Sequence, residues 1–221
     1  MGIKAEEDLL FEKLRISLPE AVCDGVVDEK SFFSARYRIV YILKEVNGGE
    51  SWDLRKFLYD GGRPQTWDNI ARWSKGIFSW EKEFYWEELQ ENNEKRRREQ
   101  LKKIAAINLK KTSGKYIANK KQIHKAALLN REIINHQLKL YKADYIILCG
   151  TTNAFMESCY KDKKIVWQMT KRGGWYFVDG NSVVISFAHP EARISDNFLY
   201  YTLIDAVKEI NCNRENFMQP K

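Results

Sequence analysis

The chain has 221 residues, 44% of them hydrophobic, enough to bury one core, so one domain spanning residues 1–221 is expected. Lysine and arginine number 37 against 30 acidic residues, and the resulting formal charge of +7 favours an anionic partner. The four cysteines, Cys23, Cys149, Cys159 and Cys212, form no C-x-x-C pair and are accompanied by three histidines. The sequence therefore carries no zinc or iron–sulfur signature, and no metal or organic cofactor is expected. The opening MGIKAEEDLLFEKL has acidic residues where a secretory leader has an apolar core, and no stretch of about 18 apolar residues follows. A cytoplasmic protein without membrane contact is the expectation.

In chain order, the first short apolar run is Arg38 to Leu43 (RIVYIL). A helix is predicted next over Trp67 to Phe78, and a charged helical stretch over Trp80 to Lys103 whose Lys95-Arg96-Arg97-Arg98 reads as a solvated face. A second strand follows at Ile104 to Leu109, a helix at about Lys121 to Lys142, and a third strand at Tyr145 to Cys149. Trp175 to Val178 and Ser182 to Phe187, separated by Asp179-Gly180-Asn181, read as a hairpin whose second arm is the fourth long strand. The last helix is Asp196 to Ile210. The runs are continuous rather than alternating, as in strands buried on both faces, and the class is α/β with a mostly parallel sheet.

In such sheets ligands bind beyond the carboxyl ends of the strands. Those ends carry Lys44-Glu45-Val46-Asn47-Gly48-Gly49, Asn108 with Lys110-Lys111-Thr112-Ser113-Gly114, Gly150-Thr151-Thr152, and His189-Pro190-Glu191-Ala192-Arg193-Ile194. A carboxylate, amides, hydroxyls, a histidine and several cations are thus expected on one edge. There is no G-x-G-x-x-G, no G-x-x-x-x-G-K-[ST] and no G-x-S-x-G, so the common nucleotide-binding and serine-hydrolase signatures are absent.

The ordered set, with KEVNG at Lys44 to Gly48, a strand-borne Asn108, the Leu148-Cys149-Gly150 turn and SFAHPEARI at Ser186 to Ile194, resembles a divergent member of the uracil-DNA glycosylase superfamily. KEVNG keeps the acidic second position and last glycine of a Gly-Glu-Ala-Pro-Gly motif, with Lys44 and Asn47 in place of glycine and proline. SFAHPEARI keeps His-Pro, with Glu191 and Ala192 in place of Ser-Pro. The resemblance implies a three-layer α/β/α sandwich with a central, mostly parallel four-stranded sheet. It also implies a DNA partner and a monofunctional DNA glycosylase that flips a base and hydrolyses its N-glycosidic bond.

In that reading Glu45 orients or deprotonates water and stabilises the sugar cation, and His189 donates to the leaving base. Asn108 and Asn47 contact the base edge, while Trp52 and Phe57 are candidate stacking platforms. Lys110, Lys111, Thr112, Ser113 and the amides around Thr151 grip phosphates, and Arg193 with Ile194 fills the hole left by the flipped base. Each has a plainer role: salt-bridged carboxylate, turn histidine, loop-holding amide, core aromatic, solubilising lysine. KEVNG lacks the bulky aromatic by which families of this fold exclude thymine, which leaves room for a modified pyrimidine, including bases of modified phage DNA. The other classes to weigh are a non-catalytic nucleic-acid-binding module of the same fold, and an enzyme acting on free nucleosides or nucleotides.

Overall fold

The computed structural model describes residues 2–114 and 118–218, the side chains being described up to residue 213. Four strands run parallel at the centre: β2 (Ile39–Leu43), β3 (Ile104–Asn108), β4 (Tyr145–Cys149) and β7 (Ser182–Phe187). They follow the four apolar runs, two of them residue for residue. The sheet is wider than the four strands expected. β1 (Gly25–Val26) adds antiparallel to β3, while β6 (Trp175–Asp179) and β5 (Gln168–Met169) extend the other side antiparallel. The order β1-β3-β2-β4-β7-β6-β5 makes a seven-stranded mixed sheet.

Strand alternation sorts the side chains into two apolar layers. Ile39, Tyr41, Leu43, Ala106, Ile147 and Ile185 face one way. There they meet Trp67, Ile70, Trp73 and Ile77 of α4 (Pro64–Phe78) and Leu199, Leu203 and Val207 of α10 (Asp196–Met218). Val40, Ile42, Ala105, Ile107, Leu148 and Val184 face the other way. They meet Ile3 of α1 (Ile3–Ser17), Ile123 and Ala127 of α7 (Lys120–Leu129), Ile134 and Tyr141 of α8 (Arg131–Tyr141), and Phe155 of α9 (Thr152–Cys159). Helices therefore pack on both faces, which is why the strands read as unbroken apolar runs. Two short helices complete the β1 edge, α2 (Glu29–Ser34) and α3 (Leu54–Tyr59), each capped by an aspartate, Asp28 or Asp53.

Two helical expectations need correction. The stretch after Trp80 is not one helix but α5 (Trp86–Gln90), α6 (Asn93–Gln100) and a 3-10 turn at Leu101–Lys103, with Asn92 left-handed at φ 51° between α5 and α6. Its basic run is solvated at Lys95 and Arg98 but not at the two arginines between them. Arg96 is buried and donates to the carbonyls of Glu88, Leu89 and Glu91, and buried Arg97 donates to Gly61 O at 2.9 Å and pairs with Asp68. The stretch from Lys121 to Lys142 is likewise two helices. Asn130 breaks it because its side chain turns inward and donates to Leu109 O at 2.9 Å. No helix among the described residues is long and apolar enough to cross a membrane.

Candidate functional site at the strand ends

β2 and β3 stay joined past their last paired residues. Leu109 N donates to Leu43 O and Lys110 N to Lys44 O, both at 2.9 Å, and Gly114 N donates to Val46 O at 2.8 Å. Ser113 Oγ closes the junction on the carbonyls of Gly48 and Gly49. The two loops form one platform, and Glu45 is seated in it. Its side chain is 7% exposed, and Oε2 accepts from Lys110 Nζ at 2.7 Å, while the same ammonium donates to Ser113 O at 2.8 Å. Gly114 lies against the carboxyl group, since a Cβ there would come within 1.9 Å of Glu45 Cδ. Oε1 has no hydrogen-bond partner among the described residues.

His189 is half-buried after β7. Its Nδ1 accepts the backbone N–H of Glu191 at 3.1 Å, so the neutral ring carries its proton on Nε2, which has no acceptor among the described residues. Burial, and then the charge of Lys44, hold its pKa below the usual histidine value, with Glu191 opposing them. At neutral pH the site thus presents an uncharged N–H donor.

Asn108 ends β3 with 2% exposure, its backbone N–H donating to Asp24 Oδ2 at 2.7 Å. The side-chain Nδ2 is buried with no partner among the described residues. A buried amide left unpaired costs about 1–3 kcal/mol, so the position carries a price that a bound acceptor would offset. The plainer reading, that this amide satisfies a neighbouring loop, finds no support in its Nδ2. A base edge reaches it only by displacing the groups that cover it.

The loop after His189 is tied to α4. Asn69 Nδ2 donates to Pro190 O at 2.9 Å and to Asp196 Oδ1 at 2.8 Å, Arg72 pairs with Asp196 at 3.2 Å, and Thr66 Oγ1 donates to Glu191. Both ends being held, the turn between them projects outward with Arg193 and Ile194 exposed, Ile194 by 46%. Arg193 forms no ion pair among the described residues.

Other residues fall elsewhere. Lys111 is no phosphate contact: its side chain is buried, with Nζ 2.7 Å from Asp24 Oδ1 and 3.0 Å from Gln137 Oε1. Of the amides around Thr151, that of Gly150 is spent on Leu148 O and Phe187 O, while the buried Thr151 side chain donates to Ile42 O at 3.0 Å and fastens β4 to β2. Lys110 is committed to Glu45 and Ser113 to the loop carbonyls, while Thr112 is half-buried. Trp52 and Phe57 meet edge to face at 5.6 Å, and the Trp52 indole N–H donates to Gly49 O at 3.1 Å, which places this pair at the rim of the Glu45 platform. Asn47 is exposed beside them and bridges to Gly114.

A second polar cluster lies deeper, and no motif announced it. Buried Glu7 accepts from Tyr141 Oη and, at 2.9 Å each, from Val26 N and Arg55 Nη1. Tyr141 Oη also receives Gln137 Nε2 at 3.1 Å, and Gln137 joins Asp24 and Lys111. With Arg55, Arg72, Arg96, Arg97 and Lys111 all buried, part of the chain's positive charge is structural. Among the described residues no group of three or more histidine, cysteine, aspartate or glutamate side chains could hold a metal ion. No protein-family model and no curated protein matches the chain, so what this edge can do is argued from its own residues.

Proposed function

We propose that the chain is a DNA glycosylase of the uracil-DNA glycosylase type, acting on a flipped base at the carboxyl ends of β2, β3, β4 and β7. The observation that carries this reading is the fixed tautomer of His189, with Nδ1 occupied by the Glu191 amide and Nε2–H left to donate. A neutral donor suits an oxygen that becomes anionic only as the bond breaks, because it stabilises the transition state more than the uncharged ground state. The unpaired Nδ2 of Asn108, the Glu45 Oε1 that has no partner among the described residues, and the braced, exposed Arg193-Ile194 turn support the same reading.

In the reaction the C1′–N bond breaks and its electron pair passes into the base. Water held at Glu45 Oε1 adds to C1′ and gives that oxygen its proton, while the carboxylate faces the transient positive charge on the sugar. The base departs as an anion against His189 Nε2–H and later takes a proton from solvent.

The test uses duplex and single-stranded oligonucleotides carrying uracil, hypoxanthine, xanthine, or hydroxymethylated or glucosylated cytosine, with alkali cleavage of the products. Base-specific scission that is lost in Glu45→Gln and His189→Ala is expected. Intact strands throughout would contradict the proposal. The pairing of Glu45 Oε2 with Lys110 favours a second reading, a DNA-binding module without chemistry, which requires salt-sensitive binding unchanged by Glu45→Gln and no abasic product.

A further inference from the structure

Lys44 is the first residue after β2, and β4 separates β2 from β7 in the sheet. Its side chain nevertheless reaches over the end of β4 to the His189 side. A Cβ built on Gly150 would lie 3.6 Å from Lys44 Cε and 3.5 Å from His189 Cβ, so both side chains pack around the Gly150 Cα. Gly150 sits at φ +65°, a conformation that disfavours side-chain-bearing residues, and a larger residue there would push between the two. The Lys44 ammonium has no carboxylate partner among the described residues, although the side chain is half-buried, and His189 Nε2 has no acceptor. A cation without a carboxylate partner beside an unused N–H donor is an arrangement suited to an anion.

We propose that Lys44 and His189 together form the anion-holding half of the site, with the Lys44 ammonium binding the same oxygen of the departing base that His189 Nε2–H contacts. This rests on the glycosylase reading and adds to Glu45 and His189 a third catalytic residue, supplied at the position where KEVNG carries lysine instead of glycine. The glycosidic electron pair ends on the base, delocalised onto its carbonyl oxygen, and no proton needs to move from either donor during bond breaking. A full charge beside a neutral donor favours bases that leave as oxygen-centred anions, which are those with a carbonyl conjugated to the glycosidic nitrogen. The charged groups acting on His189 are Lys44 and Glu191, so removing the first has a readout of its own.

The test compares Lys44→Met, which keeps the apolar stem, with Lys44→Arg, which keeps the charge. Two measurements are made on each: single-turnover excision from the deoxyuridine duplex, or from whichever oligonucleotide of the panel the native chain cleaves, and titration of His189 by nitrogen-15 NMR. Lys44→Met is expected to slow excision by about 100-fold at saturating DNA, as loss of one oxyanion donor does, and to move the His189 pKa up towards its ordinary value. Lys44→Arg should stay within about ten-fold and leave the titration near native. An unmoved His189 titration in Lys44→Met, or a native excision rate, would overturn the proposal. If the native chain excises nothing, the catalytic role falls with the glycosylase reading, and the titration then decides alone whether the two residues face one another.

Discussion

Lys110 Nζ and Glu45 Oε2, contributed by the loops after two adjacent parallel strands, lie 2.7 Å apart with side chains 18% and 7% exposed. The pair holds one carboxylate oxygen and so fixes the orientation of the carboxylate, whose Oε1 is the oxygen that the proposed reaction uses. Lys110→Met should cost about 1.5–3 kcal/mol in urea unfolding, the range for a hydrogen bond to a charged group, and should lower excision as well. A double-mutant cycle with Glu45→Gln should show strong coupling between the positions. Additive effects would mean that the pair contributes nothing.

Gly114→Ala isolates the position of the carboxylate from its chemistry. A Cβ there overlaps Glu45 Cδ at 1.9 Å, so the carboxyl group has to move while every other functional side chain stays the same. Excision should fall about as far as in Glu45→Gln, with stability changed by less than about 2 kcal/mol. Native activity in Gly114→Ala would show that this placement of Glu45 is unimportant.

Asn108→Leu should separate stability from function. The native amide is buried and its Nδ2 unpaired, so an apolar side chain of the same branching is expected to leave stability unchanged or raise it by about 1 kcal/mol. Excision or base-specific binding should fall at least ten-fold. A clear loss of stability in thermal melts would reveal a structural role for the amide.

The strands were legible because burial on both faces leaves an unbroken apolar run, and the strand-end residues followed from them. Lys111 departs from its local pattern for a physical reason. A lysine after a strand looks solvent-facing unless its partners are known, and those are the counter-charge Asp24 and the neutral acceptor Gln137, 87 and 26 residues away. Arg96 and Arg97 were misread in the same way, since backbone carbonyls of the turns around α5 and α6 and a distant aspartate leave no local pattern. Two-residue strands such as β1 and β5 are too short to show periodicity.

Lys111→Met should therefore act on folding. It strands Asp24 beneath the sheet edge and is expected to cost about 3–5 kcal/mol, with the salt dependence of DNA binding unchanged in whatever remains folded. Arg193→Ala should do the reverse, leaving the melting temperature native and reducing the slope of log affinity against log salt by about 1.

Glu7 sets a pH dependence of stability. Burial pushes its pKa up to about 7, the hydrogen bonds from Tyr141 and Val26 and the charge of Arg55 opposing this only in part. The folded chain therefore holds a proton that the unfolded chain releases nearer 4.5, so this contribution to stability is full below that value and is lost as pH rises towards 7. Chemical denaturation should show stability falling across this window by at most about 1.4 kcal/mol per pH unit, and Glu7→Gln should flatten the slope. A native slope in Glu7→Gln would assign the effect to another group.

The most direct measurement is mass spectrometry of the small-molecule fraction after the protein has been incubated with the panel of modified oligonucleotides. One intact free base is expected, released in equal amount with abasic sites and absent with His189→Ala. Nucleotides in that fraction, or no product while the DNA is bound, would contradict the glycosylase reading.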